Sequence, residues 1–456
     1  MFLFIFSALL LFANIICFVK KTYLYLFIPC LLFLPEYYGF EISASLPLIT
    51  VARLMIITFY FYAFLNRRRN FTISKTIIQD IFRTYGLLFG YFAFRIIANL
   101  FYVTKTSYAL NRILELIFEQ VLLFVAFYYL APNKDEQTKL IKSIVWSGTA
   151  LFLIGIIESL TSFRCFDALY TVNRYMLNDH YIRLGLLRST ATFGLPNFFG
   201  NACILVFPLI LYLFETTKQK RYLFCFIINI FAINHSGCRS DMIFILFILI
   251  LHFVFVIKNK EKRLAFVKNA TFIVCIIAVI VGTLSLSSEK YAYFYSGSVK
   301  SVLNSVGFSF DLDANSPDGV SGFGNNTDGT MNRLRQVTGL YYVFQKSPVI
   351  GMGAGAQIRG QIKYYWDNGW HTVKSYDLGI MEIFGDEGII GLLGVISLIF
   401  FIAKDSIKSN NSVYKICPII YLISTLSTIN MFTYLFVYYF VFSEIGIDRS
   451  TDKQFS

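Results

Sequence analysis

Apolar segments of nearly membrane-spanning length alternate with short polar connections along almost the whole chain. A helix needs about 20 predominantly apolar residues to cross a bilayer, and the segments come close to this length. The pattern therefore predicts an all-α, polytopic membrane protein with twelve or thirteen transmembrane helices. These spans are predicted at residues 2–19, 22–39, 47–65, 83–103, 112–131, 143–160, 193–214, 222–235, 240–257, 270–286, 388–403, 415–429 and 430–445.

Basic residues indicate the orientation of the spans. Because cytoplasmic loops carry an excess of Lys and Arg, the connections that are rich in them are predicted to be cytoplasmic, and the others to face outward. The basic connections alternate along the chain and lie at residues 67–69, 134–142, 218–221, 258–263 and 404–415.

The chain divides into three parts on this pattern. Residues 1–286 are predicted to hold ten transmembrane helices with short loops, and residues 287–387 an outward loop with an amphipathic helix. Residues 388–456 are predicted to hold the last transmembrane helices and a cytoplasmic C-terminal tail. Since the one sizeable loop lies outside, we expect chemistry or recognition at the outer face.

Composition excludes an ordinary soluble protein. The chain is 56% hydrophobic and 15% charged, whereas soluble domains carry about 25% charged residues. The net charge of +13 is concentrated in the cytoplasmic connections, so it orients the chain and does not indicate nucleic acid as a partner. The eight cysteines are spread singly, without the spacing of metal ligands, so no metal ion is expected. The glycine-rich run 351–355 follows no predicted strand and faces outward, so it is not a dinucleotide fingerprint, and no cofactor is expected.

Outward-facing arginines are not explained by orientation. Arg188 and Arg239 lie at the outer mouths of spans, and Arg333 and Arg335 lie at the start of the amphipathic helix. A guanidinium group binds phosphate through two parallel hydrogen bonds, so all four are candidates for holding a lipid diphosphate. For any single arginine the alternative is snorkelling to the membrane interface or an ion pair, as with Asp241. Several arginines on one face favour a binding site.

The outward loop carries two further patterns. Residues 331–346 place apolar side chains at helical spacing and predict the amphipathic helix. Pro348 ends it, because the residue before a proline resists the helical conformation. The glycine-rich run 351–355 then predicts either a tight turn that allows close backbone approach or a nest of amide groups that binds an anion.

His371 and Asp377 are candidates for the general base of a transfer reaction. A histidine near an acceptor hydroxyl can take its proton, although a surface or interfacial histidine is the plainer interpretation. Asp377, Glu382, Asp386 and Glu387 precede the span at 388–403. Carboxylates at this place favour the positive end of a helix dipole, and one of them can also serve as a base.

Two charged residues lie deep within predicted spans. Arg95 lies about eight residues from the outer end of its span, and Glu119 lies about as deep in the next. An unpaired charge at this depth costs several kcal/mol, so we predict a structural ion pair between Arg95 and Glu119.

With these outward arginines, the glycine-rich run and the acidic residues before the span at 388–403, the chain resembles the O-antigen polymerase and O-antigen ligase family of bacterial envelope glycosyltransferases. The resemblance covers residues 185–403 in good order and spacing, whereas the first third of the chain matches only in its hydropathy. The motifs that carry it are the turn at Arg239, the tripeptide of Asn332, Arg333 and Leu334 followed by Tyr341, the run 347–355 and the run 387–391.

The resemblance implies a helical fold like that of C-type glycosyltransferases. It implies action at the periplasmic face of the inner membrane, on oligosaccharide linked to undecaprenyl diphosphate, without a metal ion or a nucleotide sugar. The family arginines at the places of Arg239 and Arg333 are implied to hold the diphosphate leaving group. Membrane lipids, a flippase and a chain-length regulator are the further partners that the resemblance implies.

One departure from the family bears on the reaction. In the ligase branch a histidine stands where this chain has Asp377, and His371 lies six residues earlier. This favours a polymerase of O-antigen or capsule repeats over a ligase that transfers polysaccharide to lipid A core.

Two other classes of membrane protein remain as alternatives. A flippase or transporter would place more charges at mid-membrane, and a sensor or structural protein would not need arginines at several outer helix mouths.

Overall fold

The structure is a computed structural model of the chain. It describes residues 1–43, 48–68, 75–172, 181–305, 307–312, 316–317, 327–366, 368–373, 376 and 379–408. For residues 75–85, 87–88, 305, 327–334, 398–399, 401–402 and 405–408 it describes the backbone without the side chains.

Helices account for nearly all regular structure in the described residues. The helices are α1 (Phe2–Val19), α2 (Tyr23–Phe33), α3 (Val51–Leu65), α4 (Lys75–Leu100), α5 (Ser107–Glu115), α6 (Leu122–Leu130), α7 (Lys134–Thr161), α8 (Pro196–Thr217), α9 (Arg221–Ser236), α10 (Arg239–Leu251), α11 (Lys260–Ser287), α12 (Glu289–Ser305), α13 (Thr327–Lys346) and α14 (Gly379–Lys408). A π-helical segment, Leu116–Val121, joins α5 to α6, a second one, His252–Val256, extends α10, and a short 3₁₀ helix spans Cys165–Leu169.

Strands are few and short. They are β1 (Gly39–Phe40), β2 (Ile49–Thr50), β3 (Ile182–Arg183), β4 (Leu186–Leu187), β5 (Lys363–Trp366) and β6 (Gly369–Thr372). β3 pairs antiparallel with β4, and β5 with β6, so that each pair forms a hairpin.

By length and composition, six described helices can cross a membrane. They are Phe2–Val19, Ser107–Leu130, Lys134–Thr161, Pro196–Thr217, Arg239–Val256 and Lys260–Ser287, and the shorter apolar helices are Tyr23–Phe33, Val51–Leu65 and Phe89–Leu100. The prediction of an all-α, polytopic membrane protein is confirmed. The predicted spans at 415–429 and 430–445 lie outside the described residues.

The chain forms two compact units. The first consists of Met1–Phe40, Thr50–Ala52 and Thr138–Asn325, and the second of Glu41–Ile49, Arg53–Gln137 and Asn326–Ser456. In the first unit α8 packs along α9 and contacts α10. Since α8 is apolar on all sides, most of its residues are buried and it forms the centre of this unit.

The outward loop begins with a helix that the sequence analysis did not predict. After α11, the single extended residue Ser288 (φ −160°, ψ 133°) is followed directly by α12. In the first unit α12 packs against α10 and α11. Residue 287 is therefore the end of a span but not the start of an irregular loop.

In the second unit α13 ends at Lys346, before Pro348, as predicted. It packs on β5 and on α14. The apolar core between these elements consists of Val343, Ala356, Ile362, Val373, Tyr376 and Met381. This core fixes the β5–β6 hairpin on the helix.

A glycine break interrupts α14. Gly388 has φ 63° and ψ −151°, which is not helical. The chain at Gly351 crosses so closely here that a Cβ atom on either glycine would meet backbone atoms of the other segment. The freed amides remain paired, because Ile389 N donates to Pro348 O (2.9 Å) and Ile390 N to Val349 O (3.1 Å).

Candidate functional site

Three arginines gather around the turn between α9 and α10 in the first unit. The turn is sharp because Gly237, which caps α9, has φ 66°. Arg239 opens α10 directly after this turn. Arg183 and Arg188 reach the same turn from the β3–β4 hairpin and the residue after it.

Arg188 and Arg183 hold the turn through its carbonyl oxygens. Arg188 Nε donates to Ser236 O at 2.7 Å, and Arg183 Nη1 donates to Gly237 O. The side chains of both arginines lie so close to the α-carbon of Gly237 that a Cβ atom there would contact them. Glycine is therefore required at this position both for its φ angle and for the close approach.

Side-chain contacts complete the cluster. Arg188 Nη2 donates to Asn197 Oδ1 and lies near Cys238 Sγ, both at 3.2 Å. Arg183 Nη2 donates to Ser301 Oγ at 3.3 Å. Within the part of the chain that the structure describes, no ion pair joins Arg188 to Asp241, the alternative that the sequence left open.

The hairpin that carries Arg183 is held firmly. Its two-residue turn consists of Leu184 (φ 50°) and Gly185 (φ 76°), the angles of a tight antiparallel hairpin. Leu184 is buried, and its side chain fills the space beside Gly297 of α12. The strained φ of a leucine is tolerated because this packing anchors it.

A layer of buried polar contacts supports the segment that follows Arg188. Glu158 of α7 accepts hydrogen bonds from Thr190 Oγ1 (2.8 Å) and Ala191 N (2.9 Å). His235 lies behind the turn, with Nδ1 2.9 Å from Ser159 Oγ and Nε2 3.1 Å from the hydroxyl of Tyr295. Burial raises the pKa of the Tyr295 hydroxyl to about 12, so it stays neutral and hydrogen-bonded.

The electrostatics of the cluster favour an anion. Burial, together with the neighbouring Arg239 and Arg188, lowers the pKa of the Arg183 guanidinium to about 9, so it is still charged at neutral pH. Three positive groups that repel one another are stabilised when an anion lies between them. The arrangement can therefore bind a phosphate or diphosphate with bidentate contacts.

Arg183 is the residue that the sequence analysis missed. It lies five positions before Arg188, in the same connection that was predicted to face outward. The criterion that singled out outward arginines applies to it equally. Only its place in a hairpin shows that it reaches the same turn.

The two arginines of α13 belong to the second unit. The backbone of Arg333 lies in α13, and its side chain is outside the described residues. The guanidinium of Arg335 lies 5.3 Å from the centre of the Trp366 ring, so Arg335 contributes to packing on the hairpin. That Arg333 shares one cavity with Arg188 and Arg239 stays a prediction.

The glycine-rich run is an anion nest, and a carboxylate of the chain itself fills it. Gly355 N donates to Asp386 Oδ2 at 2.8 Å, and Ala356 N donates to Asp386 Oδ1 at 3.0 Å. The same run also makes the close crossing at Gly351. Both interpretations of the run are therefore correct, and its partner is internal.

The predicted ion pair between Arg95 and Glu119 is wrong. Arg95 Nε lies 2.5 Å from Glu387 Oε1, and Arg95 also donates to the hydroxyl of Tyr91 (3.0 Å). Glu119 pairs instead with Arg53, whose Nε lies 2.5 Å away. Sequence spacing gives depth but not the helix face, and Glu119 lies in the π-helical segment, which rotates the face away from that of a regular helix.

A second buried network lies close to Glu382. The hydroxyl of Tyr108 donates to Glu382 Oε1 at 2.7 Å, and Arg112 lies 3.0 Å from both the Tyr108 hydroxyl and Glu115. Of the four carboxylates expected before the span, three thus have internal partners. Asp377, the fourth, lies outside the described residues.

His371 lies on the exposed β5–β6 hairpin. Its Nε2 is 3.2 Å from Trp366 O, and its ring stacks on Tyr364 with 5.4 Å between the ring centres. Both contacts are within the hairpin itself. The role of His371 as a general base stays a prediction.

A cleft of about 330 Å³ lies in the second unit beside the Gly388 break. Its walls are mainly apolar, and Asp386 and Glu387 are the acidic residues among those that line it. The lining residues are Phe94, Ile97, Ala98, Asn99, Phe101, Tyr102, Ile350, Ala354, Asp386 and Glu387. Among the described residues, no group of three or more His, Cys, Asp or Glu side chains could hold a metal ion.

Comparison with known proteins agrees with the motifs. Residues 224–396 match the model of the O-antigen ligase family. This range contains Arg239, Arg333, the nest at 351–355 and the Gly388 break. No curated protein matches the chain. The match supports the resemblance to the O-antigen polymerase and ligase family over residues 224–396.

Proposed function

We propose that the protein is a polymerase of lipid-linked oligosaccharide repeats, which lengthens O-antigen or capsule chains. Its substrate would be glycan on undecaprenyl diphosphate, and its active site would face the periplasm from the inner membrane. The observation that carries the proposal is the cluster of Arg183, Arg188 and Arg239 at the α9–α10 turn.

The cluster suits the leaving group of such a reaction. A hydroxyl oxygen of the acceptor sugar attacks C1 of the donor sugar, and the bond between C1 and the diphosphate oxygen breaks. The electron pair leaves with the diphosphate, while the hydroxyl proton passes to a base or to water. Guanidinium groups that already lie in place stabilise the negative charge that develops. That Arg333 and Arg335 also hold the diphosphate stays a prediction from the sequence.

The polymerase is favoured over the ligase by one position in the sequence. The place of the ligase histidine is taken by Asp377. A diphosphate is a good leaving group, so a weaker base than histidine can suffice. The ligase stays the second candidate, because the matching family is described by that activity.

Complementation of a strain that lacks the gene tests the proposal. We expect Arg239→Ala and Arg188→Ala to abolish chain lengthening and to leave single repeats on the lipid core, because a separate ligase attaches them. Arg221→Ala is the matched control, since Arg221 begins the same helix, α9, at the end opposite to the turn and packs on Trp146 and Tyr222.

Gel banding of the surface polysaccharide separates the outcomes. For a ligase, the same arginine variants would leave polymer on the lipid carrier and none on the core. Unchanged banding in the deletion strain itself would remove glycan assembly as the function. Immunoblots of membranes show whether each variant is present in normal amount.

A further inference from the structure

The β5–β6 hairpin leaves two aromatic rings exposed at the protein surface. Tyr365 of β5 lies opposite Trp370 of β6, and their ring centres are 5.5 Å apart at an angle of 68°. Trp370 is 63% exposed and Tyr365 54% exposed, which is unusual for such large side chains. These rings are therefore not part of the core.

Polar residues flank the rings on the same face of the hairpin. Lys363 lies opposite Thr372, two positions from Tyr365 and Trp370, and both are exposed. Since residues alternate between the two faces of a strand, these four side chains share one face. Tyr342 of α13 stands edge-on to Trp370, with 6.0 Å between ring centres. The four strand positions of this face, which we call the aromatic face, are two aromatic and two polar.

The other side of the hairpin holds the aromatic face in place. Tyr364 packs against the apolar core of the second unit, and the guanidinium of Arg335 lies over the ring of Trp366. Val373, directly after β6, is buried, and its amide donates to Ile362 O at 2.9 Å. The rings are thus displayed on a supported surface and can bind without a large ordering cost.

We propose that the aromatic face binds pyranose rings of the glycan chain by stacking on Trp370 and Tyr365, with Lys363 and Thr372 hydrogen-bonding to the hydroxyl groups. This inference rests on the proposed function, because that function brings a glycan to the outward loop. A pyranose ring has an apolar C–H face and a rim of hydroxyls. The aromatic face offers the same two chemistries side by side, and none of its four strand positions is aliphatic.

Tryptophan fluorescence gives a direct test. The chain has three tryptophans, Trp146, Trp366 and Trp370, and only the last lies on the aromatic face. The full chain in nanodiscs is titrated with oligosaccharide released by mild acid from the surface polysaccharide of the cells that make the protein. We expect a saturable change in emission in the wild type and in Trp146→Phe. In Trp370→Ala we expect binding weakened about tenfold, measured by retention on the immobilised oligosaccharide.

Trp370→Phe is the conservative variant, and it should restore most of the affinity because it keeps a stacking ring. Thr372→Val should weaken binding less than Trp370→Ala. Equal binding by Trp370→Ala and wild type would overturn the inference. Quenching of Trp370 by brominated lipid, without any response to oligosaccharide, would also overturn it and would make the aromatic face a membrane anchor.

Failure of the inference can be told apart from failure of the proposed function. Arg239→Ala should bind the oligosaccharide like the wild type while it loses chain lengthening. Normal oligosaccharide binding with unchanged banding in the deletion strain would refute the polymerase and leave the aromatic face as a glycan site. Loss of banding in the deletion strain with no effect of Trp370→Ala on binding would do the reverse.

Discussion

Arg95 of α4 and Glu387, the residue before the Gly388 break in α14, form a buried ion pair with 2.5 Å between Nε and Oε1. Their side chains are 6% and 5% exposed, respectively. The pair joins two helices that pack against each other extensively among the described residues of the second unit. It thereby ties α4 to the place where the glycine-rich run crosses α14.

Removing the charge of Glu387 should destabilise the protein strongly. In Glu387→Gln the guanidinium of Arg95 stays buried without its counter-charge, which costs about 3 kcal/mol. Glu119→Gln is the comparison, because Glu119 and Arg53 are 16% and 32% exposed and their pair is therefore less buried than that of Arg95 and Glu387. We expect the amount of folded protein, measured by size-exclusion chromatography of solubilised membranes, to fall much more for Glu387→Gln.

Two results would contradict this account. Equal loss for both variants would mean that burial does not separate the two pairs. A normal amount of folded Glu387→Gln that makes no polymer would assign Glu387 to the substrate, in agreement with its place on the cleft wall.

Arg183 should be needed for chain lengthening although the sequence analysis did not single it out. Loss of one positioned donor to a developing anion typically lowers the rate about 10²-fold or more. We expect Arg183→Ala to lose most of the polymer and Arg183→Lys to recover part of it, because lysine keeps the charge but not the bidentate geometry.

Ser301→Ala is the control for Arg183. It removes the hydrogen bond to Arg183 Nη2 (3.3 Å) and leaves the guanidinium in place through Gly237 O. Banding and membrane abundance are measured together for all three variants. A normal polymer in Arg183→Ala at normal abundance would remove this residue from the site.

Local features were predictable from the sequence because they depend on neighbouring residues. Hydropathy predicts the spans, and the end of α13 before Pro348 follows from backbone sterics. The run 351–355 suggests an anion nest from glycine content alone. Nothing local identifies its anion, since Asp386 lies about thirty positions further along the chain.

Pairings between distant elements could not be predicted. Arg95 and Glu119 lie at equal depth, but the helix faces they occupy depend on the π-helical segment Leu116–Val121. The partner of Arg95 depends on a glycine break, which lets Glu387 turn towards α4. Arg183 reaches the turn only because Leu184 adopts a positive φ. These pairings result from tertiary packing, so they cannot be inferred from the order of residues in a single sequence.

Gly388 should tolerate no side chain. Its φ of 63° disfavours other residues, and a Cβ atom would meet Gly351 N, Pro348 O and Val349 O. We expect Gly388→Ala to destabilise the second unit by more than about 2 kcal/mol, seen as a lower melting temperature in detergent.

Gly90→Ala in α4 is the control, because nothing lies within 4 Å of its Cβ position. Alanine there should be neutral or slightly stabilising. A Gly388→Ala protein that melts with the wild type would contradict the close crossing.

His371 should matter less for the transfer than its chemistry suggests. Its ring is exposed and contacts Tyr364 and Trp366 O within its own hairpin, and among the described residues no hydrogen bond from another element orients it as a base. We expect His371→Ala to reduce chain lengthening by less than about tenfold, whereas removal of a true general base costs about 10²–10⁴-fold.

Asp377→Asn, at the place of the ligase histidine, is the comparison. A large loss in Asp377→Asn with a small one in His371→Ala assigns the base to Asp377. A loss of 10²-fold or more in His371→Ala, at normal abundance and with normal oligosaccharide binding, would show that His371 acts on the acceptor hydroxyl. Near-normal polymer in both variants would mean that the diphosphate leaves without the help of either residue.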